Sequence, residues 1–208
     1  MTRHCAIALS LLAAGVTPPH AAAQWSMGLD IGASHFTGAS FDTSAGGGGG
    51  AGGGAAASLR PQHPSVLALR LERSAARVWV GLGVLRARAG LVAENGTAAA
   101  VQKGFFTLLE LAPEGSIRLA ETGAGTELRL HAGPLVDFWT LEEGDNRTRA
   151  GAHAALSAGW PIAGRVTGSF RVAAALTGSV FDAGELPSQL ARRAMWRRTV
   201  SLGLRYRL

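Results

Sequence analysis

Along most of the chain apolar and polar side chains alternate one by one, the period of a β-strand with two unlike faces. From Trp25 to Thr37 the odd positions read Trp, Met, Leu, Ile, Ala, His and Thr, against Ser26, Gly28, Asp30, Gly32, Ser34 and Phe36. Leu67, Leu69 and Leu71 alternate with Ala68, Arg70 and Glu72; Val78, Val80, Leu82 and Val84 alternate with Arg77, Trp79, Gly81 and Gly83. Near Leu85 the phase slips, which predicts a β-bulge. Residues 100–120 keep one phase, with Phe105, Leu109, Leu111, Ile117 and Leu119 on one face and Glu110, Glu114, Ser116 and Arg118 on the other. Pro113 lacks a ladder donor, so a break or bulge is expected there. The same period returns over 128–138, 150–160, 166–177 and 199–208, giving eight strands.

The connections alternate in length. Segments 44–62, 92–98, 141–149 and 182–194 are long; 73–76, 122–126 and 161–164 are short. That rhythm predicts an up-and-down antiparallel sheet whose two ends face different compartments. The Gly-rich stretch 44–62 reads as a surface loop. A helical reading fails, because Gly and β-branched residues recur inside the segments and helix caps are scarce.

Arg3 and His4 precede an apolar run from Cys5 to Val16, then Pro18-Pro19 and Ala21-Ala22-Ala23. This is the layout of a secretory signal peptide over residues 1–23, with a mature domain over 24–208. Cys5 is the only cysteine, so the exported domain has neither disulfides nor a thiolate metal site. Export also sets nucleic acid aside as the reason for the net charge of +6,.

The polar faces mix Gly, Ala and Ser with charges of both signs. Asp30, Glu72, Glu110, Glu114, Glu127 and Asp137 are placed to meet Arg70, Arg77, Arg118, Arg129, Arg171, Arg205 and Arg207. Small side chains and paired charges suit the filled lumen of a narrow barrel, with the apolar faces turned to lipid. Closure satisfies every backbone group, as hydrocarbon requires. The fold class is therefore all-β: an eight-stranded antiparallel up-and-down transmembrane β-barrel. Trp25, Trp160 and Tyr206 fall at one rim and Phe105, Phe138 and Trp196 towards the other, as two aromatic girdles; Trp79 and Trp139 fall on the lumen parity, and Phe170 sits mid-strand. The alternative is a soluble periplasmic, lipocalin-like barrel with the apolar faces inside.

The last strand reads Ser201-Leu-Gly203-Leu-Arg-Tyr206-Arg-Leu208. It resembles the C-terminal assembly signal of bacterial outer-membrane proteins, with Leu208 where Phe is usual. Together with the signal peptide and eight strands, the chain is similar to small outer-membrane barrels of the OmpA/OmpX type. The resemblance implies location in the bacterial outer membrane and recognition by the barrel-assembly machinery through Ser201, Gly203, Tyr206 and Leu208. It also implies a monomer in contact with outer-membrane lipid and lipopolysaccharide.

A filled eight-stranded lumen leaves no open channel, and no catalytic set stands out. The expected function is a non-enzymatic barrel with a structural or surface-interaction role at the cell envelope; no cofactor or metal is expected. His131 and His153 share the lumen parity, with Glu127 and Asp137 near in sequence, and read as satisfied lumen histidines. His35 beside Ser34 or Ser40 offers the alternative of a lipid A-modifying enzyme, although parity separates the histidine from both serines. Arg192, Arg193, Arg197 and Arg198 cluster at the outer end of the last strand, as contacts for lipopolysaccharide phosphates. Asn95-Gly-Thr97 and Asn146-Arg-Thr148 match glycosylation sequons by chance.

Overall fold

In a computed structural model of the full chain, the structure describes residues 24–37, 39–41, 58–75, 78–94, 99–142, 146–182, 190–191 and 193–208. The expected signal peptide, most of the Gly-rich loop, Arg77, the Asn95 sequon and Arg192 lie outside the described residues. There is no helix among the described residues. The strands are β1 (Trp25–Phe36), β2 (Ala39–Phe41), β3 (Ser58–Pro61), β4 (Ser65–Ala75), β5 (Val78–Glu94), β6 (Ala99–Glu121), β7 (Glu127–Leu141), β8 (Asn146–Ala163), β9 (Val166–Thr177), β10 (Leu190–Ala191) and β11 (Met195–Arg207).

Eight of them close a ring. The order β5-β4-β1-β11-β9-β8-β7-β6 is completed by the β5–β6 pairing, and every pair is antiparallel. No edge remains in that ring, so the ladder groups of all eight strands have neighbours. The short strands β3, β2 and β10 continue from the outer end of β5. Of the segment 44–62, residues 58–61 are thus strand; of 141–149, residues 146–149 already belong to β8.

Side-chain direction follows the pattern read from the sequence. Leu67, Val80, Leu130 and Leu202 are 48%, 46%, 41% and 57% exposed, while Asp30, Glu72, Glu114 and Asp137 are buried inside the ring. A lipocalin-like barrel would show the reverse, so the soluble alternative is excluded. Trp25, Trp160 and Tyr206 face outward at one end and Phe138 and Trp196 at the other; Trp79 and Trp139 face inward.

Two local expectations are corrected. At Leu85 the phase does not slip: Leu85, Ala87 and Ala89 continue the inward parity, and only the chemistry of that face turns apolar. The irregularity lies further on, between Ala89 and Leu91. Pro113 does not break β6 either. The β6–β7 register is the same at Leu111↔Val136 and at Gly115↔Ala132, which sets Pro113 opposite Pro134. No donor is stranded at either, and an under-used carbonyl costs less than an orphaned N–H. The strands come close here: a Cβ on Gly133 would run into the Pro113 carbonyl and lie 3.0 Å from the Glu114 Cα.

Candidate functional site

The alternation of the strands delivers one acidic or basic side chain after another into a lumen too narrow for bulk water. Nearest the end where the chain enters β1, Glu127 accepts from Arg205 (3.2 Å) and pairs with Arg129 (2.5 Å). Arg129 donates to Glu72 (3.2 Å) and its guanidinium covers the Trp79 ring at 3.9 Å. One level further, Arg70 donates to Asp30 (2.7 Å) and Ser169 to the same carboxylate (3.3 Å). Glu114 stands at the centre: Arg171 donates to it at 2.6 Å, His153 Nε2 lies at 3.1 Å, His131 Nδ1 at 3.5 Å and Arg70 at 3.7 Å. Towards the outer end Arg197 binds Glu110 and stands 3.9 Å from Asp137. Six buried or part-buried carboxylates (Asp30, Glu72, Glu110, Glu114, Glu127, Asp137) thus meet five guanidiniums (Arg70, Arg129, Arg171, Arg197, Arg205). Pairing offsets the desolvation of each ion, which alone would be prohibitive.

Above the ions the inward face turns apolar. Phe36, Val66, Leu85, Phe106, Leu108, Trp139, Val180, Phe181 and Met195 pack as one cluster. The Phe36 and Phe106 rings meet Trp139 edge-on at 5.6 and 5.8 Å. The segment carrying Val180 and Phe181 is tied over this cluster by Arg147, which donates to the Val180 carbonyl, and Arg149, which donates to the Ser179 carbonyl, both at 2.6 Å. The lumen is therefore bridged by ions below and plugged by rings above.

Sequence reasoning placed His131 and His153 in the lumen but not their partner. The carboxylate they meet is Glu114 of β6, not Glu127 or Asp137. Lumen parity and the β6–β7 pairing were the available signal, but they do not say which acid reaches across the ring. His131 Nε2 also bonds Ser157 Oγ at 2.7 Å. Ser157, His131 and Glu114 thus have the connectivity of a hydrolytic triad. The chemistry is missing: the Nδ1 atom makes no hydrogen bond, Glu114 is held by two guanidiniums, and the voids at this level are about 20 and 10 Å³. Such spaces hold a single water at most. Glu72, Glu114 and His131 also bring ligand atoms within 4.8 Å of one another. Arg129 and Arg205 (3.6 Å) stand on Glu72, and Arg171 and Arg70 on Glu114, so a dication would meet four positive charges.

The remaining predicted residues separate. Ser34 faces inward and bonds Thr199 (2.7 Å), whereas His35 faces outward and stacks on His63 at 4.0 Å between centroids; the two share no site. The Ser40 side chain lies outside the described residues. Arg197 is buried on Glu110, which corrects its assignment to a lipopolysaccharide contact: on a strand, neighbours in sequence point to opposite faces. Arg193 and Arg198 are exposed at the outer end. In the C-terminal strand Ser201 faces the lumen, Tyr206 and Leu208 face outward, and a Cβ on Gly203 would strike the Asp30 carboxylate.

A closed ring of eight strands with a greasy outer wall and a charged interior defines a small transmembrane β-barrel, and this arrangement places the chain in the bacterial outer membrane. Solved structures share the fold, among them the following two. Neisserial surface protein A aligns with a TM-score of 0.57 at 10% identity, covering 88% of this chain and 96% of its own. The outer membrane protein OprG from Pseudomonas aeruginosa aligns with a TM-score of 0.55 at 12% identity, covering 91% and 97%. No protein-family model matches the sequence, and no curated protein matches it.

Proposed function

We propose that the chain is a non-conducting, non-enzymatic outer-membrane barrel whose work is done at its surface, as a wall element that presents outer loops at the cell envelope. The observation that carries this is the double closure of the lumen. Glu114 joins side chains of four other strands across the middle, and the Phe36–Phe106–Trp139 cluster blocks the outer half. Among the described residues neither a solute path nor a substrate cavity is left beside Ser157, His131 and Glu114.

On this reading the monomer is delivered by the barrel-assembly machinery through Ser201, Gly203, Tyr206 and Leu208. The exposed Arg193 and Arg198 meet lipopolysaccharide at the outer rim. The test is electrical. The refolded chain, incorporated into a planar bilayer in molar potassium chloride, leaves the membrane insulating; steady stepwise conductance would overturn the reading.

A further inference from the structure

The outward positions of β5 read Val78, Val80, Leu82, Val84 and then Arg86 and Arg88. Both arginines are exposed, and neither makes a hydrogen bond or ion pair with a described residue. Register fixes their surroundings. Arg86 lies between Leu67 of β4 and Leu109 of β6, two leucines of the lipid-facing wall. Arg88 pairs with Thr107. Eight residues of strand from Val78 cover about 26 Å, or about 20 Å along the membrane normal at a tilt of about 40°. Of an apolar band about 25 Å tall, Arg88 therefore stands at the outer margin and Arg86 about 5 Å below it, within reach of the headgroups for a long side chain. Beside the two arginines runs an open furrow of about 830 Å³, bordered by Ile31, Leu67 and Leu202.

Two unpaired guanidiniums at that height call for an anion that the membrane itself supplies. Guanidinium forks match phosphate oxygens two at a time, and the furrow offers apolar wall to a chain attached to that phosphate. We propose that Arg86 and Arg88 hold the phosphorylated headgroup of an outer-leaflet lipid, with one of its acyl chains lying in the furrow along Ile31, Leu67 and Leu202. The apolar wall contributes nothing to a free phosphate ion, which is why the occupant is a lipid. The site is separate from Arg193 and Arg198 and does not depend on the lumen being closed.

Bisphosphorylated lipid A, added to the folded full-length barrel in detergent micelles, is the probe; retained lipid is counted by native mass spectrometry. The Arg86→Gln/Arg88→Gln variant is expected to retain roughly tenfold less, the loss expected of a charge-assisted contact to phosphate. Arg73→Gln, which removes an exposed guanidinium lying over Trp25, is expected to leave retention unchanged. Enzymatically dephosphorylated lipid A should bind the native chain as weakly as the intact lipid binds the double variant, which keeps the test decisive if that variant fails to fold. Excess inorganic phosphate should not displace the intact lipid. Equal retention by native chain and double variant, equal binding of the dephosphorylated lipid, or displacement by phosphate alone would each overturn the proposal.

Discussion

Glu114 shows how much one side chain carries in a lumen of this width. It sits on β6 and is approached by Arg70 from β4, His131 from β7, His153 from β8 and Arg171 from β9. Removing the carboxylate leaves the buried Arg171 guanidinium without its close counter-charge, while Arg70 keeps Asp30; deleting one member of a buried pair costs about 3–5 kcal/mol. Glu114→Ala is therefore expected to lower the free energy of unfolding by that amount, read from urea titrations of the barrel in lipid vesicles. A change within experimental scatter would mean that water reaches these groups. Gly203 acts on the same network from the opposite wall. A Cβ there would meet the Asp30 carboxylate and lie 2.6 Å from the Leu29 carbonyl, disturbing the 2.7 Å bond from Arg70. Gly203→Ala should cost about 1–3 kcal/mol in the same titration. If Asp30→Ala is introduced first, the clash with the carboxylate is gone and only that with the Leu29 carbonyl remains, so the penalty shrinks; an undiminished penalty would place the strain in the backbone instead.

At the scale of the strand, period-2 alternation made β1, β4, β6, β9 and β11 legible, because each has one consistently apolar face. It read β5 wrongly for a physical reason. The alternation signal assumes one inside chemistry, and here the interior changes from ionic to apolar between Gly83 and Leu85 while the pleat continues. The same change hid part of the plug: Phe36 and Trp139 are legible on lumen parity, but Phe106 and Leu108 lie beside Phe105 and Leu109 in a run that is apolar on both parities, where alternation gives no signal. Arg197 failed conversely, since a run of arginines near a loop looks like a surface. Only the inward parity of Thr199 and Ser201, carried back two residues, marks it as a lumen residue. The plug has a measurable weight. Trp139 is fully buried against Phe36 and Phe106, whereas Trp196 faces lipid. Trp139→Ala should cost about 3–5 kcal/mol, as for large buried aromatics, and Trp196→Ala distinctly less; the opposite ranking in vesicle unfolding would deny the inner cluster its role.

For the whole molecule the governing fact is inversion: the side chains that a water-soluble barrel hides are turned to the solvent, and that solvent is lipid. The five tryptophans report on it independently. Trp25, Trp160 and Trp196 are 43%, 37% and 49% exposed, while Trp79 and Trp139 are 8% and 1% exposed. Bromine atoms on lipid acyl chains quench indoles that touch them and spare those behind a wall of backbone. In single-tryptophan variants refolded into vesicles, the first three should be quenched most strongly by bromines close to the headgroup, because interfacial rings sit where hydrocarbon meets polar groups. Trp79 and Trp139 should be nearly indifferent to bromine at any depth. Aqueous acrylamide then separates the two inner rings from the bulk. Trp139, beneath the plug, should be the better shielded. Trp79 lines a cavity of about 340 Å³ at the opposite mouth and should be partly reached. Strong bromine quenching of Trp79 or Trp139, with none for Trp196, would turn the barrel inside out and remove the physical ground for placing it in a membrane.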